Sequence, residues 1–429
     1  MQARNRGIVT GIIGGALGKF ISLAAPFVVM PAMLRYLGEA DFGVWMTAVS
    51  LTSAAMFLDF GIGNGLLTRL SRAFGLGDYV TMRSYIVSAY VALTVVAVVL
   101  GISLVVVYVI VNSGWVSFTY QVTANFLAIA AACIFTFIFG IPASVIQRVM
   151  LACQKTWMSN VWQIMAALLS VVLCLLSIWL KMASWMVVLA YALPPIVMMF
   201  CSAFWFFSKH LELKPKLTEF SRAYSFDLLS IGSRFFVLSI FTSIALNIDN
   251  FIIAQRLGVE AVTEYSVPAR LAGLLGLVVN VLFMPLWAAN GEALAKNDYV
   301  WLRQTMMKMS FLGGGAILIL SILLIALSTP ILNLWMGRSF EGQEANIAAL
   351  CLLSFFMAVT SPFNMLLNSA GDLRVQVMAW SLFLLVTVLA KYWFISGQTV
   401  WVVPLISALA YLFIISPFVA LSARRIVRG

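Results

Sequence analysis

The chain has little charge and almost none of the chemistry that enzymes use most. Of its 429 residues only 10% are charged and a single one, His210, is histidine. That histidine lies in the central polar segment SKHLELKPKLTEFSR, so metal clusters and His-based triads are excluded. The five cysteines are an odd number without metal-type spacing and sit mostly in apolar runs, so neither a disulfide framework nor a zinc site is expected. GGALGK (Gly14 to Lys19) has three residues between its glycines where a phosphate loop needs four, and Phe20 follows the lysine. No ATP motor is expected. Long polar stretches are scarce too, the longest being the central segment around SKHLELKPKLTEFSR.

What remains is apolar: 63% of residues are hydrophobic and the mean hydropathy is +1.04, far above an ordinary soluble chain. Twelve apolar runs, each near the length a helix needs to cross a bilayer, recur with short polar breaks. The expected spans are 8–34, 42–69, 85–111, 123–147, 158–180, 185–208, 227–255, 264–294, 309–334, 345–370, 377–396 and 402–423. The fold class is thus an all-α integral membrane protein of twelve transmembrane helices. Arg4 and Arg6 precede the first run, which is too long for a cleaved signal and reads as a first helix.

The net charge of +11 is not gathered into one face or tail, so no nucleic acid partner is expected. Instead the basic residues alternate with the spans. Arg69, Arg72, Arg83, Arg148, Lys155, Lys214, Lys216, Arg303 and Arg424 fall on one side. Arg35, Lys181, Arg256, Arg338 and Lys391 are assigned to the other. By the positive-inside rule both termini are cytoplasmic.

The two halves repeat. Leu37-Gly38 matches Leu257-Gly258, DYVTMR matches DYVWLR, and Pro142 matches Pro362, each pair separated by 220 positions as Asp78 and Asp298 are. Six spans separate equivalent positions, so the repeat is parallel. The expected organisation is an N-lobe at 1–207, a cytoplasmic linker at 208–226 and a C-lobe at 227–429. Transporters built from parallel repeats carry their substrate between the halves.

Five ionisable residues fall inside the expected spans: Lys19, Asp59, Arg234, Asp249 and Arg270. Each costs about 2.5 to 3.5 kcal/mol at a helix centre unless it meets a partner or a wet cavity. By helical rise, Lys19 and Asp59 lie at similar depth, roughly 15 Å from the basic side, and Asp249 and Arg270 both lie roughly 9 Å from the other. Each acid can therefore be half of a structural ion pair or can exchange H+ or Na+ as a coupling ion. Arg234 has no depth-matched acid in its half. With Lys19 and Arg270 it is a candidate for binding a diphosphate or anionic sugar, since a guanidinium stays charged and grips phosphate bidentately. Gly61, Gly63 and Gly65, with Asn64, follow Asp59 directly and read as a gate or hinge.

The run LRYLGEADFGVWMTAVSLTSAAMFLDFGIGNGLLTRLSRAFGLGDY resembles the first-hairpin signature of the polysaccharide transporter family, in particular its Wzx-type O-antigen flippases. ALNIDNFIIAQRLG and SPFNMLLNSAGD agree more loosely. The resemblance implies a two-lobed transporter of the multidrug/oligosaccharidyl-lipid/polysaccharide exporter superfamily in the bacterial inner membrane. It implies that an undecaprenyl-diphosphate-linked oligosaccharide passes from the cytoplasmic to the periplasmic leaflet, beside a polysaccharide polymerase and chain-length regulator. A cation-coupled multidrug extruder of the same fold and a membrane-embedded transferase or polymerase acting on lipid-linked sugars are the alternatives. No resident cofactor is expected.

Overall fold

The computed structural model describes residues 29–38, 41–42, 45, 59–112, 124–257, 259–336, 342–395 and 400–428. Lys19, the GGALGK segment and most of the first two expected spans lie outside them. The described residues are helical throughout, without strands. In chain order the helices are α1 (Ile62–Leu76), α2 (Tyr79–Asn112), α3 (Ala124–Ala143), α4 (Val145–Ala152), α5 (Thr156–Trp179), α6 (Ser184–Lys209), α7 (Arg222–Asn247) and α8 (Asp249–Leu257). They continue as α9 (Val259–Ala295), α10 (Tyr299–Met336), α11 (Glu344–Ala370), α12 (Arg374–Phe394), α13 (Val402–Ala410) and α14 (Ser416–Arg428).

Helix is what an apolar chain must form where water cannot satisfy the backbone. Among the described residues ten helical stretches are long and apolar enough to cross a membrane, and each of the ten expected spans from 85–111 onward overlaps one of them. The protein is therefore a multi-pass membrane protein. Its outer surfaces agree: along α2, Val95, Val98, Val99 and Ile102 are all exposed, as residues facing lipid are.

The chain forms two compact units, Met1–Ser233 and Arg234–Gly429, so α7 contributes its first twelve residues to one and the rest to the other. In the first unit Val29, Met33, Trp45, Ile129, Cys133, Cys174, Val187 and Val188 form a buried cluster, with Trp45 edge-on to Tyr191 at 5.7 Å. A second cluster, Ile252, Ile253, Tyr265, Ala272, Leu350, Ile395, Val400 and Val403, lies within the second unit. Four of the five cysteines are buried and all are free.

The internal repeat is visible bond by bond. Where α1 turns into α2, Gly77 is left-handed at φ 71; its counterpart Asn297 takes φ 52 between α9 and α10. Asparagine is among the few residues other than glycine that tolerate this region. The N–H of Asp78 donates to the Ala73 carbonyl at 3.0 Å, and that of Asp298 to the Ala293 carbonyl at 2.9 Å. Each aspartate then caps the next helix. Asp78 Oδ1 accepts from the Thr81 N–H at 3.0 Å, and Asp298 Oδ1 from the Trp301 N–H at 3.2 Å. The Thr81 hydroxyl and then its N–H hold the Asp78 carboxyl below its ordinary range.

Candidate functional site

Three charge centres organise the described residues, and two of them lie in the first unit. Asp59 precedes α1 at a sharp break, where Phe60 (φ 49) and Gly61 (φ 70) are both left-handed. The Gly61 N–H donates to Asp59 Oδ1 at 2.8 Å. The Arg148 guanidinium of α4 lies beside the carboxylate: a Cβ on Gly63 would stand 3.1 Å from Asp59 Oδ2 and 3.2 Å from Arg148 Nε. Gly63 thus leaves the room that the two charged groups occupy. Gly65 and Gly232 serve another contact, because a Cβ on Gly65 would stand 2.6 Å from Ile231 Cγ2, and one on Gly232 would stand 2.9 Å from both the Ile62 nitrogen and the Phe60 oxygen. Here α1 and α7 meet backbone to backbone. Asn64 is half-buried, and its carbonyl accepts from the Thr68 hydroxyl at 3.1 Å.

One and a half turns along α1, Arg69 donates through Nε and Nη2 to both oxygens of Asp227 at 2.7 and 2.5 Å, and the Tyr85 hydroxyl adds a third bond at 2.8 Å. The segment between α6 and α7 is fastened to the same unit. Glu219 takes both its oxygens to within 3.0 Å of Arg83 Nε, and Ser88 and Ser221 bond each other's polar groups. His210 sits between Lys155, whose ammonium donates to its Nε2, and Glu212, which accepts from Nδ1 at 3.0 Å. The Glu212 carboxyl is held below its usual range by its own backbone N–H and then by His210.

The third centre is in the second unit. Asp249 opens α8 and pairs with Lys391 of α12, a lysine with no solvent exposure at all, while the Tyr265 hydroxyl donates to its other oxygen at 2.7 Å. This corrects two expectations. Depth counting matched Asp249 with Arg270 and set Lys391 among the outer loops. In the structure Lys391 is the partner, because α12 brings it alongside the start of α8 from 142 positions away. Close by, the Arg256 guanidinium stacks on the Tyr392 ring at 3.8 Å and bonds the Tyr392 carbonyl.

Of the expected site residues, Arg234 and Arg270 are exposed and have no ion pair or hydrogen bond among the described residues. Asp59 and Asp249 thus already have cationic company, and two arginines inside spans do not have an acid among the described residues. Sequence reasoning missed Arg148, Lys391, Tyr265 and Asp227 as members of these centres. Arg148 had been counted only as an inner-loop charge, and nothing local marks a tyrosine as a carboxylate's partner.

Between α4, α5 and α6 of the first unit lies a cavity of about 320 Å³. Gln147, Ser159, Gln163 and Ser170 line it with Trp162 and Tyr191. Amides, hydroxyls and ring faces without a charge suit hydroxyl-rich ligands.

Comparison with known proteins adds four findings. A family described as polysaccharide biosynthesis protein matches residues 8–287. A protein of Yersinia pseudotuberculosis, named for O-antigen export, is 21% identical over 368 residues that cover 83% of this chain and 82% of its own. Among solved structures, the MATE transporter VcmN of Vibrio cholerae matches with TM-score 0.82 at 12% identity over 100% of this chain and 98% of its own. A MOP superfamily transporter from Pyrococcus furiosus matches with TM-score 0.80 at 16% identity, over 99% and 96%. At such identities the structures speak for the fold alone, and that fold is the one MATE transporters have.

Proposed function

We propose, from the premise that this chain belongs to the polysaccharide biosynthesis protein family, that it is a flippase for an undecaprenyl-diphosphate-linked oligosaccharide. It would move an O-antigen or related repeat unit from the cytoplasmic to the periplasmic leaflet of the bacterial inner membrane, by alternating access. The relative named for O-antigen export supports this reading.

One observation carries the choice of substrate class: Asp59 and Asp249, the acids deep within the spans, are matched by cations, and the surplus is positive. Asp249 is held by Lys391 and Asp59 lies beside Arg148, whereas Arg234 and Arg270 have no acidic partner among the described residues. A site for cationic drugs needs carboxylates to spare; a site for a diphosphate needs guanidinium groups to spare. Arg234 and Arg270, with Lys19, would replace the water that the diphosphate loses, and the bidentate fork supplies geometry as well as charge. The uncharged cavity lined by Gln163, Trp162 and Tyr191 fits contact with sugar hydroxyls and ring faces. In this scheme Asp59, at the left-handed break before α1, is the residue that exchanges H+ or Na+. Asp249, enclosed by Lys391 and Tyr265, holds α8 to α12. The bilayer supplies the polyprenyl tail's surroundings, and the polymerase and chain-length regulator act on the product.

The test is surface polysaccharide display in bacteria lacking their own flippase but supplied with a matching repeat-unit pathway. Wild type should restore display without dye efflux. Arg234→Ala and Arg270→Ala, expressed at normal levels, should each lower it by at least about tenfold, the loss expected when one charge-assisted contact is removed. Dye efflux with no display from a well-expressed protein would replace the flippase by an extruder.

A further inference from the structure

The repeat leaves a difference between the two units that points to a ligand. In the first unit the basic end of α2 is covered by the chain itself. The short turns Leu211–Leu213 and Leu217–Glu219 lie against it, Leu213 is buried, and Arg83 binds the Glu219 carboxylate and the Glu212 carbonyl. The repeat partner of Arg83 is Arg303, 220 positions on in DYVWLR. No described segment covers Arg303. It lines a cavity of about 430 Å³ between α10 and α14, together with Arg424, Tyr299, Met306, Met307 and Phe363. Both arginines are exposed, and neither has an ion pair or hydrogen bond among the described residues.

The surroundings identify the class of occupant. Tyr299 begins one membrane span and Val427 ends another, so the cavity stands at the level of lipid headgroups. The adjoining α10 surface is apolar and open, with Val300 65% and Phe311 76% exposed, as a lipid-facing helix is. Two unneutralised guanidinium groups thus lie above a wall of methionine and phenylalanine that continues into the bilayer. Where the first unit supplies a carboxylate and a leucine from its own chain, this place calls for an anion joined to an apolar tail.

We propose that the cavity between α10 and α14 binds an anionic phospholipid of the surrounding leaflet, its phosphate on Arg303 and Arg424 and an acyl chain along Met306, Met307 and Phe363. The bound lipid does for the second unit what the connecting segment does for the first: it neutralises the basic end of the span and fills the groove. This lipid site serves the fold whatever the protein transports.

Native mass spectrometry of the purified full chain, with phosphatidylglycerol or phosphatidylcholine of matched acyl chains, tests it. The wild type should retain phosphatidylglycerol at least about tenfold more tightly than phosphatidylcholine, which has the same phosphate but a choline cation that two unpaired guanidinium groups repel. The Arg303→Gln/Arg424→Gln double variant should lose that preference while unfolding at the wild-type temperature in phosphatidylcholine. Met307→Trp, which keeps both charges but fills the cavity, should weaken phosphatidylglycerol as well. An unchanged preference in the double variant overturns the proposal. Displacement of phosphatidylglycerol by equimolar undecaprenyl diphosphate would overturn it too, reassigning the cavity to the transported substrate's class; displacement only by acidic peptides would reassign it to a protein partner.

Discussion

Lys391 is the most consequential single residue that the sequence conceals. Its side chain is wholly buried, the Asp249 it pairs with is nearly so, and Tyr265 closes the other side of the carboxylate. Desolvating both charges costs several kcal/mol per ion, and their mutual attraction repays it only because the geometry is complete. Removing one charge should therefore be far worse than removing both. Lys391→Met is expected to destabilise by about 3 to 5 kcal/mol, whereas Asp249→Asn/Lys391→Met, which keeps an acceptor for Tyr265, should recover most of that loss. Denaturant unfolding in detergent micelles measures both; strictly additive costs would show that the pair is not a unit. Asp249 was legible as important, since a lone carboxylate in an apolar run demands an explanation. Its partner was not, because depth counted along separate helices cannot tell which helices touch.

The same limit applies to the glycines of α1. Read in sequence, Gly61, Gly63 and Gly65 beside Asp59 suggest a loosened helix. In the folded element each meets a different physical need: a left-handed turn at Gly61, room for the Asp59 and Arg148 side chains at Gly63, and contact with α7 at Gly65. Small residues bring membrane helices together because no water is expelled there and packing carries the association. Gly232 supplies the matching gap on α7, where an added Cβ would press on the backbone of Phe60 and Ile62. Backbone cannot rotate away as a side chain can, so Gly232→Ala should cost about 1 to 3 kcal/mol. Gly273→Ala, in α9 with nothing within 4 Å of its added methyl, should be neutral or slightly stabilising. Equal behaviour of the two in thermal unfolding would remove the close crossing as the reason for Gly232.

At the scale of the whole chain, hydropathy and a constant shift of 220 positions revealed more than any motif. Both depend on backbone satisfaction and duplication, which every residue reports, and the Asp78 and Asp298 junctions match down to their individual hydrogen bonds. The intramembrane charge centres do not repeat: Asp249 aligns with Val29 and Asp59 with Val279, so the backbone symmetry carries no information about them. The connecting segment is the other departure from symmetry. Composition marks it as a linker, yet it is fastened to the first unit through Arg83–Glu219, Ser88–Ser221 and the Lys155–His210–Glu212 chain. A segment held by several independent bonds opens only when they break together, and proteolysis reports that opening. Trypsin cleavage after Lys216 and Arg222 should therefore be slow in the wild type. In Arg83→Gln/Glu219→Gln, with no charge left unpaired by the double change, it should accelerate about fivefold for each kcal/mol of fastening removed, and Lys155→Met should add to that effect. Cleavage at the same rate in all three proteins would mean that the segment swings freely instead of lying fastened to the first unit.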